Sequence, residues 1–441
     1  MKNKIDFMEG NTKKCLLQMV MPLLVAMILT MAYNLVDSLW VGNLLGENGY
    51  AALTNSTAIV LILNAIAMGT SNGIAILVSQ TVGTGNKKKA AGIITTLLIL
   101  SASFSLFVTV VLELFLKDIL KMMNTPGELL DMAYAYLSVY LIGYMAIYLY
   151  MQFTAVFRSF GDPIFQMKGM LISTVFNAIL DPILIHYIGL KGAAWATVLS
   201  EILCLVFAIH YHQKKKLFKL DLRSASLDHV KPLLKDAVPS AIQGCMPAMS
   251  SATRLFLITR FGVTTIAAYG VTNKLEILLF YPAMAMNMGL TTIAGQCFGA
   301  RRSDRAKDYL KESLILGGIF TLLLTVLVII FAGNLSWMFI RSEDAGEIVK
   351  EFFRIVSIGY LMYMFTSCFL GILSGFGKPG LSMLLFFIYY IVIRIPLANF
   401  LVHTTLEING IWLAILISHV LAAIIAALIC RHTIRKTQLT L

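Results

Sequence analysis

The heptapeptides FRSFGDP, at residues 157–163, and LSGFGKP, at residues 373–379, lie 216 positions apart and share the pattern Phe-Gly-x-Pro. Glycine supplies the flexibility of a tight turn, and proline marks the first turn of the helix that follows. An apolar run precedes and follows each heptapeptide. The two stretches therefore predict two copies of one unit, in which membrane-length helices are joined by short turns.

The same spacing recurs outside these heptapeptides. Gln80 matches Gln296 at an offset of 216, Pro22 matches Pro239 at 217, and GLKGAAWATVLS (189–200) matches EINGIWLAILIS (407–418) at 218. Self-similarity at a fixed period along the chain indicates an internal duplication.

The composition excludes an ordinary soluble globular protein. Of the 441 residues, 58% are hydrophobic and 13% are charged, and about twelve apolar runs, from 16–42 to 410–430, could each cross roughly 30 Å of hydrocarbon as a helix. We expect an all-α polytopic membrane protein with about 12 transmembrane helices in two six-helix repeats, which are parallel because six is even. The predicted domains are an N-terminal six-helix bundle at 1–212, a cytoplasmic linker at 213–235 and a C-terminal six-helix bundle at 236–441.

Successive loops between spans lie on alternating sides of the membrane. The net charge of +12 comes mainly from the loops on the same side as the N-terminus, which contain Lys87–Lys89, Lys214–Lys216, Arg301 and Arg302. Short basic loops stay in the cytoplasm, so we expect both termini there and a multi-pass protein of the cell (inner or plasma) membrane. The basic residues thus indicate which loops are cytoplasmic, and the expected partner is the lipid bilayer rather than nucleic acid. The six cysteines form no C-x-x-C pair, which argues against disulfides and a metal site.

Ionisable residues inside the apolar runs differ between the two halves. The first half carries the acids Asp37, Asp181 and Glu201, and the second half carries the bases Arg254, Lys274 and Arg394. Ionisable side chains at bilayer depth are costly and usually mark an ion or substrate path. Carboxylates in one half alone predict a single cation-coupling site, and hence a transporter.

The fifth apolar run offers oxygen ligands on one helix face. Asn177 and Asp181 are four residues apart and therefore stack on that face. Pro182 lacks an N–H, so it leaves the Ala178 carbonyl without its helical partner. A carbonyl, an amide and a carboxylate suit Na⁺, or a proton with water.

The first run adds a second acid. Asn34 and Asp37 are three residues apart and share a face, with Tyr33 adjacent. Two carboxylates close together in a poorly hydrated pocket do not both stay charged, so one of them can exchange a proton. Glu201 either joins this site or balances a base.

Two groups of residues could line a substrate cavity. Met284 and Met288, in YPAMAMNMGL (281–290), together with Tyr140 and Tyr144, would give an adaptable apolar lining, with ordinary packing as the alternative. Arg254, Lys274 and Arg394 would either line the cavity or form ion pairs within the second bundle.

The six-plus-six duplication, YNLVDSLWVG (33–42), the two Phe-Gly-x-Pro loops, NAILDPILI (177–185) and GAAWATVLS (192–200) resemble the multidrug and toxic compound extrusion (MATE) family over the whole chain. The DinF-like prokaryotic branch, with its MATE/MOP-type fold, is the most similar. This resemblance implies a cation-coupling set of Asp37, Asn177, Asp181 and Thr197, with Ser200 as an alternative hydroxyl. Glu201 stands where that branch has glutamine, and Arg254 occupies the seventh helix, where the NorM-like branch carries an acid.

The resemblance implies an antiporter that exports lipophilic, often cationic, organic compounds in exchange for H⁺ or Na⁺ by alternating access. We expect no enzyme activity, no cofactor beyond the coupling ion and no metal beyond Na⁺, and a monomer. The alternative is a flippase for a lipid-linked saccharide or peptidoglycan precursor, in which Arg254, Lys274 and Arg394 would hold a pyrophosphate. The sequence leaves open the substrate and the choice between H⁺ and Na⁺.

Overall fold

The computed structural model describes residues 5–123, 125–339 and 341–440. Its long elements are helices, because apolar segments in a bilayer must satisfy their backbone groups internally. The helices are α1 (Thr12–Gly83), α2 (Lys87–Met122), α3 (Gly127–Ser159), α4 (Ile164–Ile188), α5 (Leu190–Lys215), α6 (Val230–Ile258), α7 (Val263–Gly299), α8 (Ser303–Phe339), α9 (Glu343–Gly375), α10 (Pro379–Phe387), α11 (Ile395–Leu401) and α12 (Glu407–Thr440). A π-helical segment, Ile388–Arg394, joins α10 to α11.

Among the described residues, ten helical stretches are long and apolar enough to cross a membrane, and α10 to α11 count as one of them. The first, α1, is two helices that meet at Gly46. Helix α6 is not among the ten, although it lies where the seventh span is predicted. With α1 counted twice and α6 included, the helices account for the twelve predicted spans, and the polytopic all-α fold is confirmed.

The connection between the first two spans differs from its prediction. The sequence predicts a polar loop at Gly42–Gly49, but the chain is helical on both sides of Gly46. Gly46 has φ +65° and ψ −158°. Glycine adopts this conformation without steric cost because it lacks a Cβ, so one residue turns the chain and no longer loop is needed.

The duplication is visible in the backbone. Four pairs of residues with positive φ stand 216 or 218 positions apart: Gly46 with Gly262, Gly85 with Arg301, Gly161 with Gly377, and Gly189 with Glu407. Gly161 and Gly377 belong to the two heptapeptides, and α4 and α10 begin within three residues of them. Both halves therefore make the same turns at the same positions.

The first compact unit consists of Pro22–Ala237. One of its cores packs α3 against the second part of α1 and α5, and another surrounds Phe157 and Phe165. The segment between α5 and α6 folds onto α2, because the backbone N–H groups of Asp221 and Ser226 donate to threonine hydroxyls of that helix, each at 3.1 Å. Most of the predicted linker thus packs with the N-terminal half.

The second compact unit consists of Ile5–Met21 and the chain from Val238 onward. The hydroxyl of Tyr309, in α8, donates to the Phe7 carbonyl at 3.1 Å, which ties the N-terminal segment to this unit. Its core surrounds Phe352, Phe353 and Trp412. The compact units therefore differ from the predicted domains in two segments, residues 5–21 and 213–237.

Candidate functional site

One buried stripe runs along α4. Its buried residues recur every four positions: Phe165, Gly169, Ser173, Asn177, Asp181 and Ile185. Residues four apart lie on one face of a helix. Another series with the same spacing, Leu171, Val175, Ile179 and Ile183, is 48–56% exposed. Helix α4 thus buries Ser173, Asn177 and Asp181 inside the first unit and presents apolar side chains outward, as expected next to lipid.

Hydrogen bonds connect this stripe internally and to α5. Asn177 Nδ2 donates to Asp181 Oδ1 at 3.1 Å, so the predicted stacking of the amide on the carboxylate is present. One turn earlier, Ser173 Oγ donates to Glu201 Oε1 at 3.2 Å. Asp181, Asn177, Ser173 and Glu201 therefore form a polar line along the boundary between α4 and α5.

Small residues bring α4 and α5 close together. A Cβ atom added at Gly192 would lie 2.2 Å from the Leu184 carbonyl oxygen, so a larger residue does not fit there. The thiol of Cys204 donates to the Gly169 carbonyl at 3.2 Å. Small residues at a helix interface let backbones approach closely inside a membrane, and this fixes the polar line against α5.

Helix α1 brings the second acid to the site. Asp37 is 9% exposed and lies within electrostatic range of Asp181. Tyr33, one turn away, donates from its hydroxyl to Thr197 Oγ1 at 3.0 Å. Its hydroxyl also lies within electrostatic range of Asp37, Asp181 and Glu201. The first unit therefore gathers three carboxyl groups around one tyrosine.

Three side-chain oxygens of this cluster accept no hydrogen bond from a described residue. Asp37 Oδ1, Asn177 Oδ1 and Asp181 Oδ2 are buried, and none accepts a hydrogen bond from the part of the protein that the structure describes. Within that part, Asp37, Asp181 and Glu201 form no ion pair with a base. A buried carboxylate is costly unless a partner neutralises it. The cluster therefore has the chemistry to take up protons or a monovalent cation.

The oxygen ligands in this cluster suit H⁺ or Na⁺ better than a transition metal. Carboxylate and amide oxygens are ligands for hard cations. Over the described ranges, no group of three His, Cys, Asp or Glu side chains could hold a metal ion.

The remaining predicted coupling residues lie at different distances from the polar line. Thr197 accepts the bond from Tyr33, whereas Ser200 is fully buried and donates to the Ala196 carbonyl of its own helix at 2.7 Å. Asn34 is exposed, whereas Asp37, three residues further along the same helix, is buried. The roles of all these residues in coupling remain predictions.

The tyrosines and methionines predicted to line a cavity are mostly buried within their units. Tyr140 donates to Asn64 Oδ1 at 3.2 Å, and Tyr144 donates to the Leu63 carbonyl at 3.0 Å. Met288 is buried and Met284 is half-buried. These contacts give the two tyrosines a packing role in the first unit, and a cavity-lining role stays a prediction.

Arg254 of the second unit has an acidic partner. Its Nη1 lies 3.3 Å from Glu276 Oε2, and both side chains are almost fully buried. The Tyr360 hydroxyl donates to the other carboxylate oxygen at 3.2 Å, and the guanidinium lies 5.5 Å from the centre of the Tyr269 ring. Of the two predicted alternatives, an ion pair within the second bundle describes Arg254.

Arg394 is held by neutral groups. It is 2% exposed, and its Nε donates to Ser418 Oγ at 2.9 Å. Its guanidinium also bonds to the Tyr389 hydroxyl, contacts His419 Nε2 at 3.4 Å, and lies 4.5 and 4.8 Å from two tyrosine ring centres. Lys274, in contrast, is exposed.

The predicted set omits several residues of these networks, among them two that contact a predicted residue or its partner directly, Ser173 and Glu276. Ser173 extends the spacing of Asn177 and Asp181 by one turn, so the pattern that identified those two could also have identified it. Glu276 lies two positions from Lys274 and 22 from its partner Arg254. The local sequence contains no signal for that pairing, because it depends on how two helices rotate against each other.

Comparisons with known proteins agree with this architecture. The MatE family model matches residues 22–183 and 239–400. The chain is 25% identical to the probable multidrug resistance protein YoeA of Bacillus subtilis, over 89% of this chain and 88% of that protein. It is 23% identical to the multidrug export protein MepA of Staphylococcus aureus, over 96% and 94%.

A solved structure shares the fold. The outward-facing conformation of a multidrug resistance MATE family transporter of the MOP superfamily matches this chain with a TM-score of 0.94 at 23% identity, over 99% of both chains. The two matches to the family model are offset by 217 positions and cover most of the chain, so each falls on one copy of the duplicated unit. The chain therefore belongs to the MatE family of multidrug and toxic compound extrusion transporters.

Proposed function

We propose that this protein is a secondary antiporter that exports lipophilic, often cationic, organic compounds in exchange for H⁺ or Na⁺. The two relatives named above are a probable multidrug resistance protein and a multidrug export protein, which supports drug extrusion. The observation that carries the coupling is the pair Asp37 and Asp181: Asp37 Oδ1 and Asp181 Oδ2 are buried without a hydrogen-bond donor, and neither acid has a base as partner among the described residues. A cation gradient can act on such a pair directly.

In this mechanism the first unit changes charge when it binds the coupling ion. A proton on Asp181 Oδ2, or a Na⁺ ion among the free oxygens of Asp37, Asn177 and Asp181, neutralises a carboxylate that is costly when buried and charged. The loaded and empty units then favour different conformations. The drug and the ion need not touch, provided that both bias the same inward–outward equilibrium.

The proposal includes the expected setting of the protein. It would function as a monomer in the plasma membrane, with both termini in the cytoplasm and no cofactor beyond the coupling ion. The flippase alternative lacks support from the relatives, and two of the three bases that it requires have other contacts. Arg254 is paired with Glu276, and Arg394 is enclosed by tyrosines, Ser418 and His419.

Transport by purified protein in proteoliposomes tests the proposal. We expect an imposed proton or Na⁺ gradient to drive movement of a cationic dye such as ethidium, and the effective gradient identifies the ion. Asp181→Asn and Asp37→Asn should each abolish gradient-driven dye movement, because an amide neither releases a proton nor supplies a carboxylate ligand. Both variants should still fold, since asparagine is similar in shape to aspartate.

Glu113→Gln is the matched control. Glu113 is an acid in α2 of the same unit that accepts a bond from Ser138 at 2.6 Å and lies outside the cluster. Its variant should transport at the rate of the parent protein. Near-normal coupled transport by both aspartate variants, or equal loss in the control, would refute the proposed coupling site.

A further inference from the structure

A cavity of about 310 Å³ in the second unit lies between α8, α9 and α12. Its lining combines the bases Lys307, Arg431 and Arg435 with five uncharged residues: Leu310, Phe369, Ala427, Cys430 and Ile434. The lining contains no acid. The cavity therefore joins a concentrated positive charge to an apolar wall.

The spacing of these residues explains why they converge. Ala427, Arg431 and Arg435 recur every four positions on α12, and Lys307 and Leu310 are one turn apart on α8. In the described part of the chain, none of the three bases forms an ion pair. All three side chains are exposed. Their charges therefore remain available to an anion.

The position along α12 places the cavity at headgroup depth. The predicted apolar run of α12 ends at residue 430, directly before Arg431. Toward the middle of the same helix, Ile424 and Leu428 are 52% and 63% exposed. Together with Arg431 and Arg435 they follow spacings of three and four residues, which is one helix face. An exposed apolar track thus leads from the bases into the hydrocarbon.

We propose that this cavity binds an anionic phospholipid. The phosphate would lie among Lys307, Arg431 and Arg435, and an acyl chain would follow Ile424 and Leu428 along α12. Basic pockets between membrane helices suit anionic headgroups, since charge attraction and apolar burial act together. A soluble phosphate or organic anion would use the bases but leave the apolar track uncovered. This site is independent of the coupling site in the first unit.

Thermal unfolding of the purified full-length protein tests this inference. Phosphatidylglycerol, titrated into protein held in phosphatidylcholine nanodiscs, should raise the melting temperature, because a ligand of the folded state stabilises it by mass action. The triple variant Lys307→Gln/Arg431→Gln/Arg435→Gln should need at least about tenfold more phosphatidylglycerol for the same rise in melting temperature. The control Lys87→Gln/Lys88→Gln/Lys89→Gln removes the same charge from the α2 terminus and should respond like the parent.

A second variant keeps the test decisive if the triple variant does not fold. Ala427→Phe fills the cavity without changing its charge and should also lose the response to phosphatidylglycerol. Added phosphatidylcholine should have no effect, and inorganic phosphate should fail to replace the lipid. The inference is overturned if both cavity variants keep the full response, if the control loses it equally, or if inorganic phosphate alone gives the same shift.

Discussion

Buried acids in the two units are neutralised in different ways. In the second unit Glu276 accepts a contact from Arg254 and a hydrogen bond from Tyr360. In the first unit Asp37 and Asp181 have no basic partner among the described residues. An ion pair built into the protein neutralises its acid without a bound ion, whereas an unpaired buried acid requires a proton or cation from outside. This difference is the physical reason for proposing a coupling site in the first unit.

The Arg254–Glu276 pair should therefore contribute to stability and not to coupling. Arg254→Gln leaves the Glu276 carboxylate buried without its base, which typically costs about 3–5 kcal/mol. We expect a lower melting temperature in detergent, and gradient-driven dye transport by the protein that remains folded. The double variant Arg254→Gln/Glu276→Gln should be more stable than the sum of the two single effects predicts, by about 0.5–3 kcal/mol.

Arg394→Gln provides the comparison for this prediction, because Arg394 is buried but has no carboxylate among its contacts. Its variant has no acid to leave unpaired, so a second substitution at Glu276 should not rescue it. Full stability with complete loss of dye transport in Arg254→Gln would contradict the structural role and favour a substrate-binding role for this base.

Sequence alone could predict a large part of the candidate site. A spacing of four residues fixes one helix face whatever the surroundings, so the contact of Asn177 with Asp181 follows from the sequence. The bond from Tyr33 to Thr197 joins residues 164 positions apart. It depends on the packing of two helices, which local sequence does not determine, and only the resemblance to a family indicated Thr197.

At the scale of elements, α4 contains a weakness within the candidate site. It runs from Ile164 to Ile188 with Pro182 inside, directly after Asp181. Proline has no N–H to donate to the Ala178 carbonyl, and an interior proline costs a helix about 3 kcal/mol. This free carbonyl lies one turn from Asp181. Because a hydrogen bond is missing there, α4 would need little energy to bend at this point between two conformations.

Pro182→Ala should restore the missing hydrogen bond and stiffen α4. We expect a higher melting temperature and a slower turnover in dye transport, with dye affinity changed by less than about twofold. Pro163→Ala is the matched control, because Pro163 caps the start of the same helix, where no interior hydrogen bond is missing. Unchanged turnover in a folded Pro182→Ala protein would show that bending at this position is not needed.

The elements themselves follow closely from apolar length, but their ends do not. Most predicted spans lie within one observed helix, since hydrophobicity determines which residues enter the bilayer, whereas the span predicted at 381–402 is divided among α10, the π-helical segment and α11. The joint at Gly46 replaces a predicted loop, because polar residues near Glu47 continue the helix beyond the apolar run. At Arg301 and Glu407 the positive φ falls on residues with a Cβ. There the duplicated fold, rather than the local residue preference, sets the backbone.

At the scale of the whole molecule, the two halves share a fold and have different charges. Each half repeats the same left-handed positions and matches the same family model. The acids of the first half and the bases of the second were visible in sequence as a difference between equivalent runs. The cavity between α8, α9 and α12 was not visible in the sequence, because it forms only where these three helices converge.

The charge of the loops makes a final prediction about topology. Lys219 follows the sixth predicted span and Thr405 follows the eleventh, so the two segments should lie on opposite sides of the membrane. The basic loops predict that the side that contains Lys219 faces the cytoplasm. Both residues are exposed. In a background without the six native cysteines, Lys219→Cys should resist a membrane-impermeant maleimide on intact cells and react after permeabilisation. Thr405→Cys should react in both conditions. Labelling of Lys219→Cys on intact cells would invert the orientation and place the bases of the lipid cavity at the outer leaflet.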